Sequence, residues 1–467
     1  MISTRRHLNL RTRASLLVLA FGVVLGTSDA AHASLSLGLD STNYLGKGSQ
    51  WRQDNYSDVD AQFQSGFQGP TMEAKSHGHL MFSLNQSSYQ FVDIPEAYFG
   101  TSSDLSSVQV SLGRKLQHWN HLDDEWGLGI WQPRFRWDYI KPESVGLTGT
   151  FVSLNRPGIH LVGFVSPLFV PDQSAPLDVA SGQVISKSPW AASPPATVPL
   201  FGQSTPITYS AQIPSIANIV TQTSLSMMAR FGADENERGN WSSVGYAYKP
   251  MNQLLTSYDA YFMLDSNNVA ATIYPHVEYH QLASFEVGHT SRKVSAWLSV
   301  LADRPSLTPQ APTLTSQELS QSIAFGPSLA YDLRGDRLTS PEQATTMNFS
   351  FIRQYGGDAP DSGVLADGKS NFDTRYPWKL TAKTGIKSPI TERLSIDSNF
   401  LYDFQNPGDI LSTSMVYRPR MIKRSSFFAG VDLLTSFSDV PKDANAPDFI
   451  SHYRANDRIY GGFSYAF

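Results

Sequence analysis

The chain ends with the ten residues RIYGGFSYAF at positions 458–467. Ile459, Phe463, Tyr465 and Phe467 occupy alternate positions of this stretch, and mostly small or polar residues stand between them. Because successive side chains of a β-strand point to opposite faces, this spacing predicts a strand with one aromatic face and one face of small or polar residues.

The same period of two recurs along the whole chain. Val108, Val110 and Leu112 alternate with polar or small residues, and about twenty segments of about ten residues show this pattern between turn sequences. Strands of about 9–11 residues match a tilted bilayer crossing, whereas globular strands have about five or six. Since backbone groups in hydrocarbon must all be paired, a sheet there must close on itself. The sequence therefore predicts an all-β fold: a closed antiparallel transmembrane β-barrel of about 18–20 strands with long extracellular loops.

The last strand is similar to that of a known class of proteins. Its alternating aromatics and terminal phenylalanine resemble the end of bacterial outer-membrane β-barrels, a likeness that makes Phe463, Tyr465 and Phe467 the signal read by the barrel-assembly machinery. The segment LGRK at 112–115, followed by Trp119, resembles the Gly-Arg strand ends of porins. The resemblance implies the outer membrane of a Gram-negative bacterium, with its lipid and lipopolysaccharide as surroundings. The alternative is a soluble β protein that happens to end in phenylalanine.

The first 33 residues have the composition of an export signal. Four arginines precede an apolar run at 14–26, and Ala31-His32-Ala33 provides a small-residue cleavage site. We expect residues 1–33 to be a cleaved signal peptide and residues 34–467 to form the barrel, with a retained N-terminal anchor as the alternative. The chain contains no cysteine, which excludes disulfides and thiolate sites, and its formal charge of −5 offers no net attraction to nucleic acid.

Connection lengths give a second test of the barrel. When such a barrel starts in the periplasm, loops after odd-numbered strands are long and turns after even-numbered strands are short. We predict long connections after odd strands near 116–145, 171–218, 302–321, 354–378 and 435–456. We predict short connections after even strands near 154–158, 265–269, 388–393 and 418–425. Two predicted connections break the rule, since 332–345 is long for an even position and 280–282 is short for an odd one.

Two of the long connections have unusual sequences. Residues 171–214 contain eight prolines, which lack the N–H that a strand needs, so no sheet is predicted there. We expect the connection 171–218 to form either a constriction inside the lumen or a lid over the outer mouth. Residues 114–143 combine four tryptophans with five basic and five acidic residues. Opposed charges of this kind select ions in pores. The alternative is that the tryptophans form an interfacial aromatic belt and that the charged residues belong to a solvated loop.

Charged residues on the polar strand faces are the candidates for a pore lining. Lys379, Lys383 and Lys387 share one face of a predicted strand, and Asp397 lies on the polar face of the next. A charge on the lipid face costs about 2–4 kcal/mol at mid-membrane, so we expect these side chains in the lumen, either lining the pore or pairing to hold the wall. The predicted pore-lining or constriction residues are Arg114, Lys115, Arg134, Arg136, Asp138, Lys379, Lys383, Lys387 and Asp397.

No recognisable motif marks a catalytic site. His276, Glu278 and His280 have the i, i+2, i+4 spacing of a two-histidine, one-carboxylate metal set, and His118 and His121 are a weaker candidate. Histidines in a polar lumen need no metal, so no metal, cofactor or catalytic residue is predicted and the chain is not expected to be an enzyme.

The predicted function is a porin-like channel for passive diffusion of small solutes or ions across the outer membrane. The alternative is a structural or receptor barrel of an envelope-spanning complex, with its lumen occluded. The sequence leaves open a homo-oligomer or envelope-complex partners, and it does not identify the solute.

Overall fold

The computed structural model describes residues 31–46, 53–86, 89–102, 106–175, 177–186, 188–191, 194–234, 237–311, 313–340, 342–362, 375–422, 424–437 and 448–467. Residues 1–30, which hold most of the predicted signal peptide, lie outside the described residues. Ala31–Ala33, at the predicted cleavage site, open the first strand.

The described chain forms one sheet of 18 strands that closes on itself. Strand β1 pairs with β2 on one side and with β18 on the other, and all neighbouring strands are antiparallel. The predicted closed antiparallel barrel is confirmed. Its strands are β1 Ala31–Tyr44, β2 Asn55–Gln68, β3 Met72–Ser83, β4 Gln90–Thr101, β5 Val108–Lys115, β6 Leu147–Arg156, β7 Ile159–Ser166, β8 Ser224–Gly232, β9 Gly239–Pro250, β10 Tyr279–Thr290, β11 Val294–Ser306, β12 Ser322–Arg334, β13 Thr345–Gly356, β14 Leu380–Pro389, β15 Leu394–Asp403, β16 Gly408–Tyr417, β17 Ser425–Ser436 and β18 Arg458–Ala466.

The period of two in the sequence sets the two faces of the barrel wall. Leu35, Leu37 and Leu39 of β1 are exposed on the outer face, whereas Asp40 lies on the inner face opposite Gly462 of β18. Apolar residues at alternate positions of the other strands continue this outer surface around the barrel. The result is an apolar exterior and a polar inner wall, the arrangement that a bilayer requires of a barrel.

The seam between the first and last strands is closed by backbone hydrogen bonds. The N–H of Phe467 donates to the carbonyl of Leu35 at 2.8 Å. Ile459 and Phe467 are more than half exposed on the outer surface, and Phe427 of β17 packs against Phe463. The aromatic face predicted for residues 458–467 is therefore the outer face of the wall.

Short and long connections lie at opposite ends of the barrel. Those after even-numbered strands are 69–71, 102–107, 157–158, 233–238, 291–293, 335–344, 390–393 and 418–424. Most of those after odd-numbered strands are longer, and the longest are 116–146, 167–223, 251–278, 307–321, 357–379 and 437–457. The long connections share one end, which agrees with the predicted alternation.

Two predicted connections are wrong. Residues 265–269 form the tip of a hairpin between strands Leu255–Met263 and Asn268–His276, which belongs to a separate six-stranded sheet, and residues 280–282 lie inside β10. Both hairpin strands alternate in polarity as barrel strands do. A period of two therefore does not distinguish a strand that contacts lipid from a strand of a sheet outside the barrel. Because the hairpin adds an even number of strands, the parity of the later connections is preserved.

The prediction that residues 171–214 contain no sheet is also wrong. Thr197–Leu200 and Gln203–Ala211 form an antiparallel hairpin that adds to the six-stranded sheet. Pro206 pairs with Thr197 on one side, and the second neighbour strand begins pairing only at Ile207. Proline is tolerated in a strand where no neighbouring strand needs a hydrogen bond from its N–H. Pro206 meets this condition because the second neighbour begins only at the next residue.

The remaining elements lie in the long connections. Helices are α1 His121–Trp126, α2 Ile216–Val220 and α3 Phe449–Tyr453, and a 3-10 turn follows at Arg454–Asn456. Short strands occur at Arg134–Arg136, Glu143–Ser144, Gln173–Ser174, Asp178–Ala180, Gln183–Ile185, Thr315–Gln317 and Asp361–Ser362. Within the described ranges, no helix combines the length and apolar character needed to cross a membrane.

Candidate functional site: a charged cavity in the barrel lumen

The connection 116–146, here called the inward loop, folds into the barrel. Its helix α1 starts after Asn120, whose side chain accepts a hydrogen bond from the N–H of Asp123 at 3.0 Å. Gly127 ends the helix at φ 59°, a backbone conformation that is least strained for glycine. Leu122 and Trp126 of the helix are buried. The loop is therefore a folded element with its own cap signals at both ends.

An apolar layer joins the long connections to the inner wall. It combines inward side chains from many strands with residues of four long connections. Such a layer buries apolar surface inside a barrel whose wall is otherwise polar, and it fills part of the lumen. Its members are Trp119, Leu122, Trp126, Leu128, Ile130, Trp131, Leu147, Phe151, Val162, Phe164, Trp190, Met228, Ala247, Leu282, Leu301, Ala324, Ile352, Tyr376, Trp378, Ile410, Leu434, Phe449, Ile450 and Tyr453.

A buried carboxylate on β10 anchors the start of the inward loop. Glu286, only 1% exposed, accepts hydrogen bonds from the His121 N–H at 2.7 Å and from the Asn120 side-chain amide at 3.1 Å. The hydroxyls of Ser299 and Ser243 donate to the same carboxylate at 2.6 and 3.0 Å. Sequence reasoning missed Glu286, although its place between Phe285 and Val287 puts an acidic side chain on the luminal face.

A second buried carboxylate anchors the connection 357–379. Asp303 of β11 accepts hydrogen bonds from the Tyr376 hydroxyl at 2.7 Å and from the Arg375 guanidinium at 3.2 Å. His280 of β10 lies 2.9 Å from the other carboxylate oxygen. Sequence reasoning missed this group too, because its members are up to about a hundred positions apart along the chain.

The far end of the inward loop is held by charges on β17 and β18. Arg458 contacts Asp138 of the loop at 2.6 Å and Asp432 of β17 at 2.6 Å, and Lys141 lies 3.5 Å from Asp432. Asp138, a predicted constriction residue, therefore pairs with the wall through Arg458. Because β10 and β17 are seven strands apart, the inward loop crosses the lumen between its anchors.

A cavity of about 320 Å³ lies between the inward loop and the wall strands β14–β16. Four cationic side chains and two carboxylates line it, together with apolar and amide groups. Three of the predicted pore residues are in this lining. The charged members are Arg134, Arg136, Lys141, Lys383, Asp124 and Glu125.

Each loop charge in the cavity has a defined partner. The Lys383 ammonium on β14 lies 3.1 Å from the Glu125 carboxylate and also donates to the Glu125 carbonyl at 2.9 Å. Arg134 lies 3.4 Å from Asp124, and Arg136 lies 3.1 Å from Asp172 of the connection 167–223. Lys383 and Glu125 form a partly exposed pair, since their side chains keep 29% and 26% exposure, whereas Arg134 and Arg136 are buried.

The two arginines also build the loop. Arg134 donates to the Asp123 carbonyl at 3.0 Å, and Arg136 donates to the Leu128 carbonyl at 2.7 Å. Asp123 in turn accepts from the Ile130 N–H at 2.9 Å, and burial raises the pKa of the Asp123 carboxyl. Arg134 and Arg136 are thus both cavity charges and structural groups of the inward loop.

Arg114 and Lys115 point to opposite faces of β5. Lys115 is luminal, beside the Tyr98 ring and opposite the buried Leu147. Arg114 lies two positions after the exposed Leu112 and therefore on the same outer face, and its guanidinium donates to the Thr148 hydroxyl at 3.2 Å. The predicted luminal position of Arg114 is therefore wrong, because adjacent residues of a strand cannot both face inward.

The other predicted wall residues lie away from the cavity. Lys387 and Asp397 are register partners on the luminal faces of β14 and β15, nearer the short-turn end. Lys379 lies at the start of β14, where its ammonium donates to the Gly356 carbonyl at 2.6 Å and contacts Asp358 at 3.3 Å. These three charges do not meet those of the inward loop.

The luminal wall at β1–β4 is rich in acidic residues that sequence reasoning did not identify. Asp60 contacts His79, and Lys75 pairs with Glu96 at 2.7 Å. A space of about 720 Å³ opens beside this wall, with Glu73, Lys75 and Tyr98 among its lining residues. The polar residues at alternate positions of β2 and β3 were the signal in the sequence for this group.

The residues His276, Glu278 and His280, which have the spacing of a metal set, do not assemble into one. His280 faces Asp303, whereas His276 ends a strand of the separate sheet and lies 3.6 Å from Glu278. Glu278 is instead bound by the Thr308 N–H and hydroxyl at 2.8 and 3.0 Å. The i, i+2, i+4 spacing fails here because the chain leaves the hairpin between His276 and Tyr279, so the residues are not on one strand.

Comparisons with known proteins give structural likenesses only. No protein-family model matches the chain, and no curated protein matches it. Among solved structures, it is similar to OccK2 (OpdF) of Pseudomonas aeruginosa, with 10% identity, TM-score 0.48, and coverage of 95% of this chain and 99% of that one. A second structure of OccK2 in complex with glucuronate gives 10% identity, TM-score 0.49 and the same coverage.

Two other solved structures show similar coverage. OccAB3 of Acinetobacter baumannii has 10% identity and TM-score 0.46 over 94% of this chain and 99% of its own. A mutant porin of Rh. blastica has 8% identity and TM-score 0.39 over 94% and 100%.

Proposed function

We propose that this protein is a porin-like channel of a Gram-negative outer membrane that lets small solutes or ions diffuse passively through its lumen. Residues 1–33 serve as the export signal in this proposal, and the aromatic end of β18 serves as the assembly signal. The end that carries the long connections is the extracellular one. The apolar outer face contacts lipid and lipopolysaccharide, and no catalytic step is involved.

The charged cavity beside the inward loop is the observation that carries this proposal. A loop that crosses a barrel lumen narrows the path to the space between the loop and the wall. Here that space has charges on both sides, with Lys383 on the wall and Asp124 and Glu125 on the loop. Opposed charges at a narrow, wet passage orient polar solutes and select ions.

The lining favours anions modestly. Four cationic side chains face the cavity against two carboxylates, so a solute in the cavity meets a positive balance. Because Arg136 and Lys141 also pair with Asp172 and Asp432, part of that positive charge is compensated. We therefore propose small anionic or zwitterionic solutes as the preferred class.

Planar-bilayer conductance of the purified barrel tests this function. We expect stepwise openings with a reversal potential that favours anions over cations in a salt gradient. Heat-modifiable migration in gel electrophoresis verifies that the inserted protein is folded. A folded barrel that gives no openings and no solute-dependent swelling of proteoliposomes contradicts the proposal.

The apolar layer supports a second candidate, an occluded barrel that acts as a scaffold or receptor of an envelope complex. The layer joins inward side chains of many wall strands to four long connections, and such packing restricts passage. In that case the silent barrel of the same bilayer experiment is the expected result, and the exposed six-stranded sheet offers a surface for partners.

A further inference from the structure

Three potential metal ligands converge where the inward loop meets β10. The Nε2 atom of His118 lies 3.0 Å from Nδ1 of His121, which lies 3.2 Å from Oε2 of Glu286. One ligand atom from each residue falls within 4.8 Å of the other two. In the described part of the chain, this is the one such group of histidine and acidic residues.

The hydrogen bonds around His118 and His121 direct potential ligand atoms of both histidines and of Glu286 to the same point. Asp124 lies 2.6 Å from Nδ1 of His118 and also contacts Arg134, so its carboxylate accepts a hydrogen bond from the N–H at that ring nitrogen. Nε2 of His118 then presents its lone pair toward His121. Oε2 of Glu286 is a second acceptor facing Nδ1 of His121, and a single N–H at that nitrogen must serve both. A cation at this point would use lone pairs of all three residues, with the hydrogen of His121 carried by its Nε2 instead of its Nδ1.

We propose that His118, His121 and Glu286 form a binding site for a divalent transition-metal ion of the zinc class. Two imidazoles and one carboxylate are a common ligand set for such ions, with a further position left for water. Ligand atoms about 2.0–2.2 Å from a tetrahedral zinc ion lie about 3.3 Å apart, close to the two separations found here. Asp124 adds the carboxylate that orients a metal-bound histidine through its other nitrogen.

The surroundings favour a fixed and reachable site. The His121 ring stacks on Trp241 with centroids 4.9 Å apart and lies 5.1 Å from Trp297. The two histidine side chains keep 22% and 21% exposure, which gives an ion access from the lumen. An ion bound there ties the loop residues to the β10 wall and adds a metal cross-link to the Glu286 anchor.

Zinc titration of the untagged, chelator-treated full-length barrel tests the site. We expect one equivalent of Zn²⁺ to bind by calorimetry, with nitrogen and oxygen ligation in X-ray absorption spectra. Cu²⁺ should quench tryptophan fluorescence, since Trp241 and Trp297 border the site. These readouts do not depend on solute passage, so they can succeed or fail whether or not the protein is a channel.

Matched variants locate the ion. His118→Asn should weaken zinc affinity at least about 100-fold, and Asp124→Asn should weaken it about 10- to 100-fold. His289→Asn is the control, because His289 lies on the same strand as Glu286 but is hydrogen-bonded to Asn240. All variants must show heat-modifiable migration, and Asp124→Asn replaces His118→Asn if the latter does not fold. Absence of zinc binding, or equal affinity in the control and a folded site variant, overturns the proposal.

Discussion

Reversing the charge of Lys383 should turn the ion preference of the barrel from anions toward cations. Lys383 projects from β14 into the cavity, where its ammonium lies 3.1 Å from the Glu125 carboxylate. In Lys383→Glu, the side chains that face the cavity change from four positive and two negative to three of each. The partial exposure of both partners means that losing the ion pair costs only about 1 kcal/mol, so the barrel should still fold.

The size of the effect follows from the distance of closest approach. A permeating ion about 4 Å from the side chain interacts with one unit charge by about 1 kcal/mol at the dielectric constant of water. Charge reversal doubles this energy to about 2 kcal/mol, and screening at about 0.15 M salt lowers it to about 1.3 kcal/mol. Because the reversal disfavours an anion and favours a cation by this same amount, the two differ by about 2.6 kcal/mol, and we expect the anion-to-cation permeability ratio to fall about 80-fold.

Lys387→Glu provides the matched control for this measurement. It makes the same charge change on the same luminal face of β14, but four residues along the strand, about 14 Å away. At that distance, beyond a Debye length of about 8 Å, the ratio should change by less than about 1.5-fold. Reversal potentials in a salt gradient measure both ratios. Equal shifts in the two variants, or no shift in either, would refute the placement of the ion path beside Lys383.

Three further changes probe the wall and the anchors. Asp303→Asn should destabilise the docking of Arg375 and Tyr376 on the wall by about 3–5 kcal/mol, because Arg375 loses the charge of a buried carboxylate that it contacts. Proteolysis of the connection 357–379 should accelerate while the barrel stays heat-modifiable. Deleting Phe467 removes the N–H bonded to Leu35 and the proposed assembly signal, so the amount of protein in outer-membrane fractions should drop severalfold. Leu329→Arg places a charge on the exposed outer face and should cost about 2–4 kcal/mol in denaturant unfolding from lipid vesicles, whereas Leu329→Met should have little effect.

The barrel could be predicted from the sequence because its wall obeys a local rule. Each membrane strand must present apolar residues to lipid at every second position. The exposed leucines of β1 and the aromatics of β18 follow that rule within a few residues of the chain. The hairpin Leu255–Met263 and Asn268–His276 obeys the same rule outside the barrel. Period two therefore identifies strands well but cannot assign a strand to the membrane.

The site was only partly predictable because it depends on contacts between distant segments. Arg134 and Arg136 were predicted from the charged, tryptophan-rich segment 114–143, and Lys383 from its strand face, and all three line the cavity. Glu286 and Asp303 fix the loops that shape that cavity, yet their partners lie far away in the chain, and no local pattern links them. Single acidic residues on an otherwise neutral luminal face are the signal that the sequence offers for these anchors.

The anchors of the inward loop explain how a filled lumen can still contain a path. Glu286 holds the loop to β10 and Arg458 holds Asp138 at β18, and both anchoring groups are buried. Between these anchors, the loop contacts β14 through Lys383 and Glu125, whose side chains are 29% and 26% exposed, and such a pair is worth far less than a buried one. Thermal motion that separates loop from wall should therefore widen the β14 side first, where the cavity already lies. In the proposed channel, the strong anchors keep the loop across the lumen, and the weak contact sets where solutes pass.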